Sequence, residues 1–136
     1  MRCGASLPDI HRATIANKSI AEMKLWGKIM ERLRINKYGI AYTYILKADL
    51  LESGLEEDSI EGLSNYLSQL DDARAIFVFS ERDEGTIKVS MRTYHNDVDL
   101  AKLATTLGGG GHKKAAGFTI PGRILHSKDS VQVVPA

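Results

Sequence analysis

Hydrophobic positions along the chain alternate between a helical and a strand period. Ile20, Met23, Trp26, Met30 and Leu33 recur at three- and four-residue steps, with Leu25 and Ile29 widening the stripe. That spacing predicts an amphipathic helix running to about Arg34. Ser19-Ile20-Ala21-Glu22 supplies a capping box, in which a hydroxyl and a carboxylate three residues apart satisfy two orphan N–H donors. A weaker pattern suggests a short helix from Pro8 to about Ala16. Asn36-Lys37 turns the chain. Tyr38 to Ile45 then reads as a strand with Tyr38, Ile40, Tyr42 and Tyr44 on one face. Those tyrosines either stack bases or pack as amphipathic residues with hydroxyls at the rim, the second being the simpler reading.

Lys47 to Glu52 predicts a short helix closed by Gly54, and Asp58-Ser59-Ile60-Glu61 predicts the cap of a longer one bearing Ile60, Leu63, Leu67 and Leu70. Asn65 and Tyr66 lie off the centre of that stripe, facing either solvent or a partner. The continuous apolar run Ala75–Phe79 predicts a central strand covered on both sides. Glu81 to Gly85 is a polar turn of hairpin length. In the strand that follows, Ile87, Val89 and Met91 alternate with Lys88, Ser90 and Arg92. Asp97 is placed to cap a third helix carrying Leu100, Leu103, Ala104 and Leu107, with Gly108 where a C-terminal cap glycine belongs. Beyond the glycines, Lys113 to Ala116 allows at most one helical turn, and Gly117 to Ile120 leads into a strand broken by Pro121-Gly122. Val131, Val133 and Val134 either add an edge strand or trail off. The order predicts an α/β fold: a two-layer domain with a small mixed β-sheet and helices, preceded by an N-terminal linker helix.

Composition narrows the function. The 136 residues are 43% hydrophobic, enough for a real core. Eighteen basic and seventeen acidic side chains leave a net charge of +1. Any attraction for nucleic acid is therefore a local patch and not a global field. The single cysteine, Cys3, excludes an internal disulfide framework and fits a reducing compartment. With no long apolar run and no signal-peptide pattern, the expected location is cytoplasmic, away from membranes.

The chemistry gathers in Gly108-Gly109-Gly110-Gly111-His112-Lys113-Lys114. Four glycines let bound atoms approach the backbone and let successive N–H groups form an anion-holding nest, with an imidazole and two ammonium groups beside it. A phosphate is the expected client; a flexible hinge is the alternative. Lys88, Ser90 and Arg92 form a polar row with about 7 Å between steps, a pattern an ordinary solvated strand face also produces. A phosphate-loop NTPase is excluded, because the glycines follow a helix and Lys113-Lys114 precedes alanines instead of a hydroxyl residue. A dinucleotide fingerprint is excluded because no strand immediately precedes the glycines. Asp9 with His11, His95 with Asp97, and the scattered His112 and His126 are too sparse for a metal centre, and Cys3 lacks a local base. No catalytic residue and no metal ligand is assigned; the chain carries half of a hydrolytic site.

Gly109-Gly110-Gly111-His112 with Ala115-Ala116-Gly117-Phe118 resembles the Gly-Gly-Gly-His signature of the DHH-associated domain, the C-terminal substrate-binding half of DHH-family phosphoesterases. Lys88–Arg92 resembles the family's Ser-x-Arg strand, Val98–Ala104 the helix before the loop, and Glu61–Tyr66 the helix before the central strand. The subgroup resembled comprises small oligoribonucleases that also dephosphorylate 3′-phosphoadenosine 5′-phosphate, with exopolyphosphatase-related proteins, cyclic di-adenylate phosphodiesterases and RecJ-type exonucleases nearby. The resemblance implies a boundary near residue 36, with 1–36 the end of a catalytic domain and its connecting helix, and 37–136 the substrate-binding domain. It implies that the amides of Gly109, Gly110 and Gly111 cradle a phosphate, that His112 donates to it, that Arg92 grips it, and that Ser90 and Lys88 assist. Asn65 is a candidate base or sugar contact. The expected partners are short single-stranded RNA or DNA, or a phosphorylated nucleotide, with a manganese-dependent Asp-His-His domain in cis. The sequence contains no Asp-His-His triplet, so this chain is expected to bind no metal and to be inactive alone. A free-standing RNA-binding module and a structural, homodimerising domain are the alternatives.

Overall fold

The computed structural model describes residues 18–60 and 62–136. The expected helix at Pro8–Ala16, together with Cys3, Asp9 and His11, lies outside the described residues. Helix α1 spans Ile20–Glu31 and opens on the expected capping box: Glu22 N–H donates to Ser19 Oγ and Ser19 N–H to Glu22 Oε1, each at 3.1 Å. It stops three residues short of Arg34, because Arg34–Ile35 forms strand β1 against Ala41–Tyr42 of β2 (Ile40–Ile45). The turn between them consumes Tyr38 and Gly39, so the strand starts later than its pattern suggested. Asn36 Oδ1 accepts from the N–H groups of Tyr38 and Ile40, and Gly39 takes φ +82°.

Strand β2 runs parallel to β3 (Ala75–Glu81), and the connection between them contains α2 (Lys47–Ser53), a 3-10 turn (Glu57–Ile60) and α3 (Leu63–Leu67). The single longer helix expected from Asp58 is thus two short pieces. Gly62 between them has φ +88°, a left-handed conformation that no helix continues through. Strand β4 (Thr86–Arg92) pairs antiparallel with β3 and with β6 (Ala115–Pro121), and β5 (Gly110–His112) closes the sheet's far edge. The strand order is β1-β2-β3-β4-β6-β5, a mixed six-stranded sheet. The terminal valines are ordered as β8 (Val131–Val134), which pairs with β7 (Arg123–His126) in a separate hairpin.

Register assigns the side chains to two faces. Ala41, Ile45, Ile76 and Val78 join Leu25, Trp26 and Ile29 of α1 and Leu63 and Leu67 of α3 in one buried cluster. Ile87, Val89 and Met91 join Leu100 and Ala104 of α4 (Leu100–Thr106) and Ile124 of the hairpin in the other. Two hydrogen bonds lock α1 in place, from Trp26 Nε1–H to the Ser59 carbonyl at 2.8 Å and from Thr43 Oγ1–H to the Ile29 carbonyl at 2.6 Å. Among the described residues no helix is long and apolar enough to cross a membrane.

The helical layer also contains a buried ion pair. Arg32 meets both Asp49 oxygens, at 2.6 and 2.9 Å, and Leu46 N–H donates to Asp49 Oδ2. Burial alone would raise the Asp49 pKa; the Arg32 and Leu46 hydrogen bonds and the charges of Arg32 and Lys28 outweigh it and hold the carboxyl below its ordinary range. A depressed carboxylate pKa contributes stability that is present above the unfolded-state pKa and lost as pH falls through the folded one. Asp49→Asn is therefore expected to cost about 1–3 kcal/mol at neutral pH in urea unfolding. It is also expected to shrink the difference from wild type as the solution is acidified through the carboxylate range.

Candidate functional site

The helices on the first face end over β3. Beyond it, Lys88 and Thr119 are exposed, Ser90 and Arg92 half-buried, and Gly110 and His112 exposed. The register places these positions in rows. Arg92 is opposite Ala115, and Ala115 is opposite His112; Ser90 is opposite Gly117, and Gly117 is opposite Gly110; Lys88 is opposite Thr119. Directly paired residues share a sheet face, so Lys88, Ser90, Arg92 and His112 occupy one open half-face with a floor of glycine and alanine. Arg92 and His112 lie two strand spacings apart, about 10 Å between Cα atoms. Large side chains on β6 would fill that gap; Ala115 and Gly117 leave it clear.

Helix α3 forms the opposite wall. Asn65 Oδ1 accepts a hydrogen bond from Arg92 Nε at 2.7 Å, and Arg92 Nη1 donates to the Met91 carbonyl at 2.8 Å. Asn65 thus holds the Nε side of the arginine. Burial pulls the Arg92 pKa down from its ordinary value, and among the described residues no carboxylate lies within ion-pair distance of it. A guanidinium stays protonated near neutral pH, so this is a partly desolvated cation without a direct ion-pair partner among the described residues. The cleft beside it has a volume of about 430 Å³ and reaches Lys88, Ser90 and Ser80 on the strands and Gly62 and Ser64 on the helical side, where the acidic Glu57 and Asp58 also line it.

Sequence reasoning missed Arg82, Ser80 and Ser64. Arg82 also lines the cleft; it pairs with Glu57, and its buried Nε has no hydrogen-bond partner among the described residues. Burial lowers its pKa too. The available signal was register: Ser80 is opposite Lys88 once β3 extends past Phe79 to Glu81.

The glycine run is not a simple nest. Gly108 takes φ +84°, its N–H donates to the Thr105 carbonyl at 3.1 Å, and Gly109 N–H donates to the Ala104 carbonyl at 2.7 Å. This two-bond closure is a Schellman motif ending α4. It confirms Gly108 as the cap glycine and engages the Gly109 amide expected to cradle a phosphate. Gly110, Gly111 and His112 form the edge strand β5, and Lys113-Lys114 is the two-residue turn into β6, not a helical turn. A Cβ on Gly109 would overlap the Gly117 carbonyl oxygen, and one on Gly111 would sit 2.5 Å from Ala116 Cα; Gly110 has open space. The run thus serves close backbone packing on one side and leaves a bare, unpaired strand edge on the other. The helix before it is capped by Asp99, whose carboxylate accepts from Lys102 N–H; the expected cap, Asp97, pairs instead with Arg74.

Among the described residues no three His, Cys, Asp or Glu side chains gather as a metal site. The manganese implied for DHH enzymes finds no ligand set in those residues. The six-stranded mixed sheet with helices packed on both faces is an α/β domain. The chain belongs to the DHHA1 domain family, whose pattern matches residues 37–132.

Two curated relatives are each 34% identical to it. One is the bifunctional oligoribonuclease and PAP phosphatase NrnA of Thermus thermophilus, over 101 residues, covering 73% of this chain and 29% of that protein. The other is the cyclic-di-AMP phosphodiesterase GdpP of Geobacillus thermodenitrificans, over 98 residues, covering 72% of this chain and 14% of that protein. The chain thus spans less than a third of either relative. The crystal structure of an exopolyphosphatase-related protein from Bacteroides fragilis shares the fold, with a TM-score of 0.72, 24% identity and coverage of 85% of this chain and 34% of that one.

Proposed function

We propose that this chain is the substrate-binding domain of a DHH-type phosphoesterase and holds a phosphate of a short single-stranded nucleic acid or a nucleotide. The observation that carries the reading is Arg92: a half-buried guanidinium, oriented by Asn65, with no direct ion-pair partner among the described residues and in register with His112 across an alanine. Arginine presents paired N–H donors that match two phosphate oxygens, and partial desolvation strengthens the resulting charge-assisted bonds. Ser90 and Lys88 extend the donor row along the strand, and the outward edge of β5 at Gly110–His112 presents backbone to the same ligand. The Gly109 amide plays no part, being bonded within the helix cap.

Hydrolysis belongs to an Asp-His-His domain in cis, which supplies the manganese ions and the attacking water; the residues here bind and orient. Relatives named for oligoribonuclease, PAP phosphatase and cyclic-di-AMP phosphodiesterase activities support a phosphorylated nucleotide as the ligand class. The single cysteine fits a cytoplasmic setting.

Amide and arginine Nε chemical-shift mapping with a 5′-phosphorylated dinucleotide tests the placement. The largest shifts are expected at Ser90, Arg92, Gly110 and His112. Shifts confined to Lys113, Lys114 and other surface lysines would mean nonspecific charge attraction and would refute it.

A further inference from the structure

The tyrosine row that the phosphate site does not use lies on the opposite face of the sheet. Tyr42 and Tyr44 are directly opposite Phe77 and Phe79 in the parallel β2–β3 pair. Strand β3 is central in the sheet, a position where large apolar side chains are ordinarily sealed. Yet Phe77, Phe79 and Tyr42 are only half-buried. They open into a cavity of about 310 Å³ between the sheet and the β7–β8 hairpin, whose inner residues Ile124, Val131 and Val133 form the other wall.

We propose that this cavity binds an uncharged, planar heteroaromatic ring of nucleobase size, at a site separate from the phosphate row. Tyr42, Phe77 and Phe79 offer faces and edges on which a flat ring stacks with little loss of side-chain freedom, while the buried Tyr44 ring is already engaged by Arg32 and His126. Among the described residues no lysine, arginine, aspartate or glutamate lines the cavity, so a charged ligand would be desolvated there without compensation. The volume sits at the low end for small-molecule sites, which suits a base or nucleoside and excludes a peptide or a folded oligonucleotide. Asn36 adds a primary amide to the lining. Asn36 spends its oxygen on the turn N–H groups of Tyr38 and Ile40, which leaves its NH₂ as a donor. Gln132, between the inward Val131 and Val133, lies on the other face of the hairpin. A heterocycle with a ring nitrogen accepts from the Asn36 NH₂; a plain hydrocarbon does not.

The test is a protein-observed NMR titration of the chain with adenosine, and with ribose as the sugar-only control. Adenosine is expected to give saturable shifts at Tyr42, Phe77, Phe79 and Val133, and ribose none. Val133→Trp fills the cavity from an exposed hairpin position and is expected to abolish the response while keeping the dispersed spectrum of the fold. Arg92→Ala is expected to leave adenosine binding unchanged, which separates this site from the proposed phosphate site. The proposal is overturned if adenosine gives no saturable shift, if its shifts map to β4, β5 and β6, or if Val133→Trp binds as wild type does.

Discussion

Arg92→Ala is expected to lower affinity for a 5′-phosphorylated dinucleotide by about ten- to a hundredfold, the equivalent of one lost charge-assisted contact of roughly 1.5–3 kcal/mol. Arg92→Lys is expected to recover little of it. An ammonium keeps the charge but cannot donate through Nε to Asn65 and present a planar pair of donors to the ligand at once. His112→Ala, one row position away across Ala115, is expected to cost less, because an exposed imidazole contributes a weaker, more hydrated bond. Fluorescence anisotropy with each variant, alongside thermal unfolding to confirm the fold, reads these effects. Equal affinity across wild type, Arg92→Ala and His112→Ala would remove the phosphate from this face.

The second large effect falls on the glycine run, and it is selective by position. Gly109→Ala and Gly111→Ala are each expected to cost about 3 kcal/mol or more, since the added methyl meets backbone of β6 and not a side chain that can swing aside. Gly111 carries a further penalty from its φ of +138°. Gly110→Ala meets open space and is expected to stay within about 1 kcal/mol of wild type. Urea unfolding of the three single variants reads the ranking. Had the run been only a flexible hinge, all three would be tolerated alike. Any selective loss of ligand by Gly110→Ala, with stability unchanged, would then report on the outward edge of β5.

Much of the fold was legible because the informative signals are local. The α1 stripe with its Ser19–Glu22 box, the period-two alternation of β4 and the Gly108 cap each depend on residues a few positions apart. The box, the alternation and the cap appear in the structure as read; of the stripe, Leu25, Trp26 and Ile29 are buried, whereas Ile20 and Met23 at its start are exposed. The errors come from competition between local signals. Asp97 and Asp99 are both good caps, and the choice fell to Asp99 because Asp97 is bonded to Arg74 across the fold. Gly62 interrupts an otherwise helical stripe, and its positive φ ends one element and starts another. Arg34 and Ile35 fit a helix by period, but pairing with Tyr42 and Ala41 claims them for the sheet.

The candidate site was legible in its parts and not in its assembly. Lys88, Ser90 and Arg92 share a face by alternation alone. That His112 shares it depends on the β4–β6–β5 register, and that Asn65 binds Arg92 depends on a contact 27 residues apart in sequence. The glycine run misled for a physical reason: the same freedom that permits an anion nest permits a helix cap followed by a crowded strand. Only the surrounding backbone distinguishes them.

The most direct test of the central claim compares one dinucleotide carrying a 5′-phosphate with the same dinucleotide ending in a 5′-hydroxyl, titrated against the wild-type chain at fixed ionic strength. The account predicts saturable binding that weakens at least about tenfold without the terminal phosphate, with that phosphate dependence lost in Arg92→Ala. Equal binding of the two ligands, or a phosphate dependence that survives in Arg92→Ala, would contradict it.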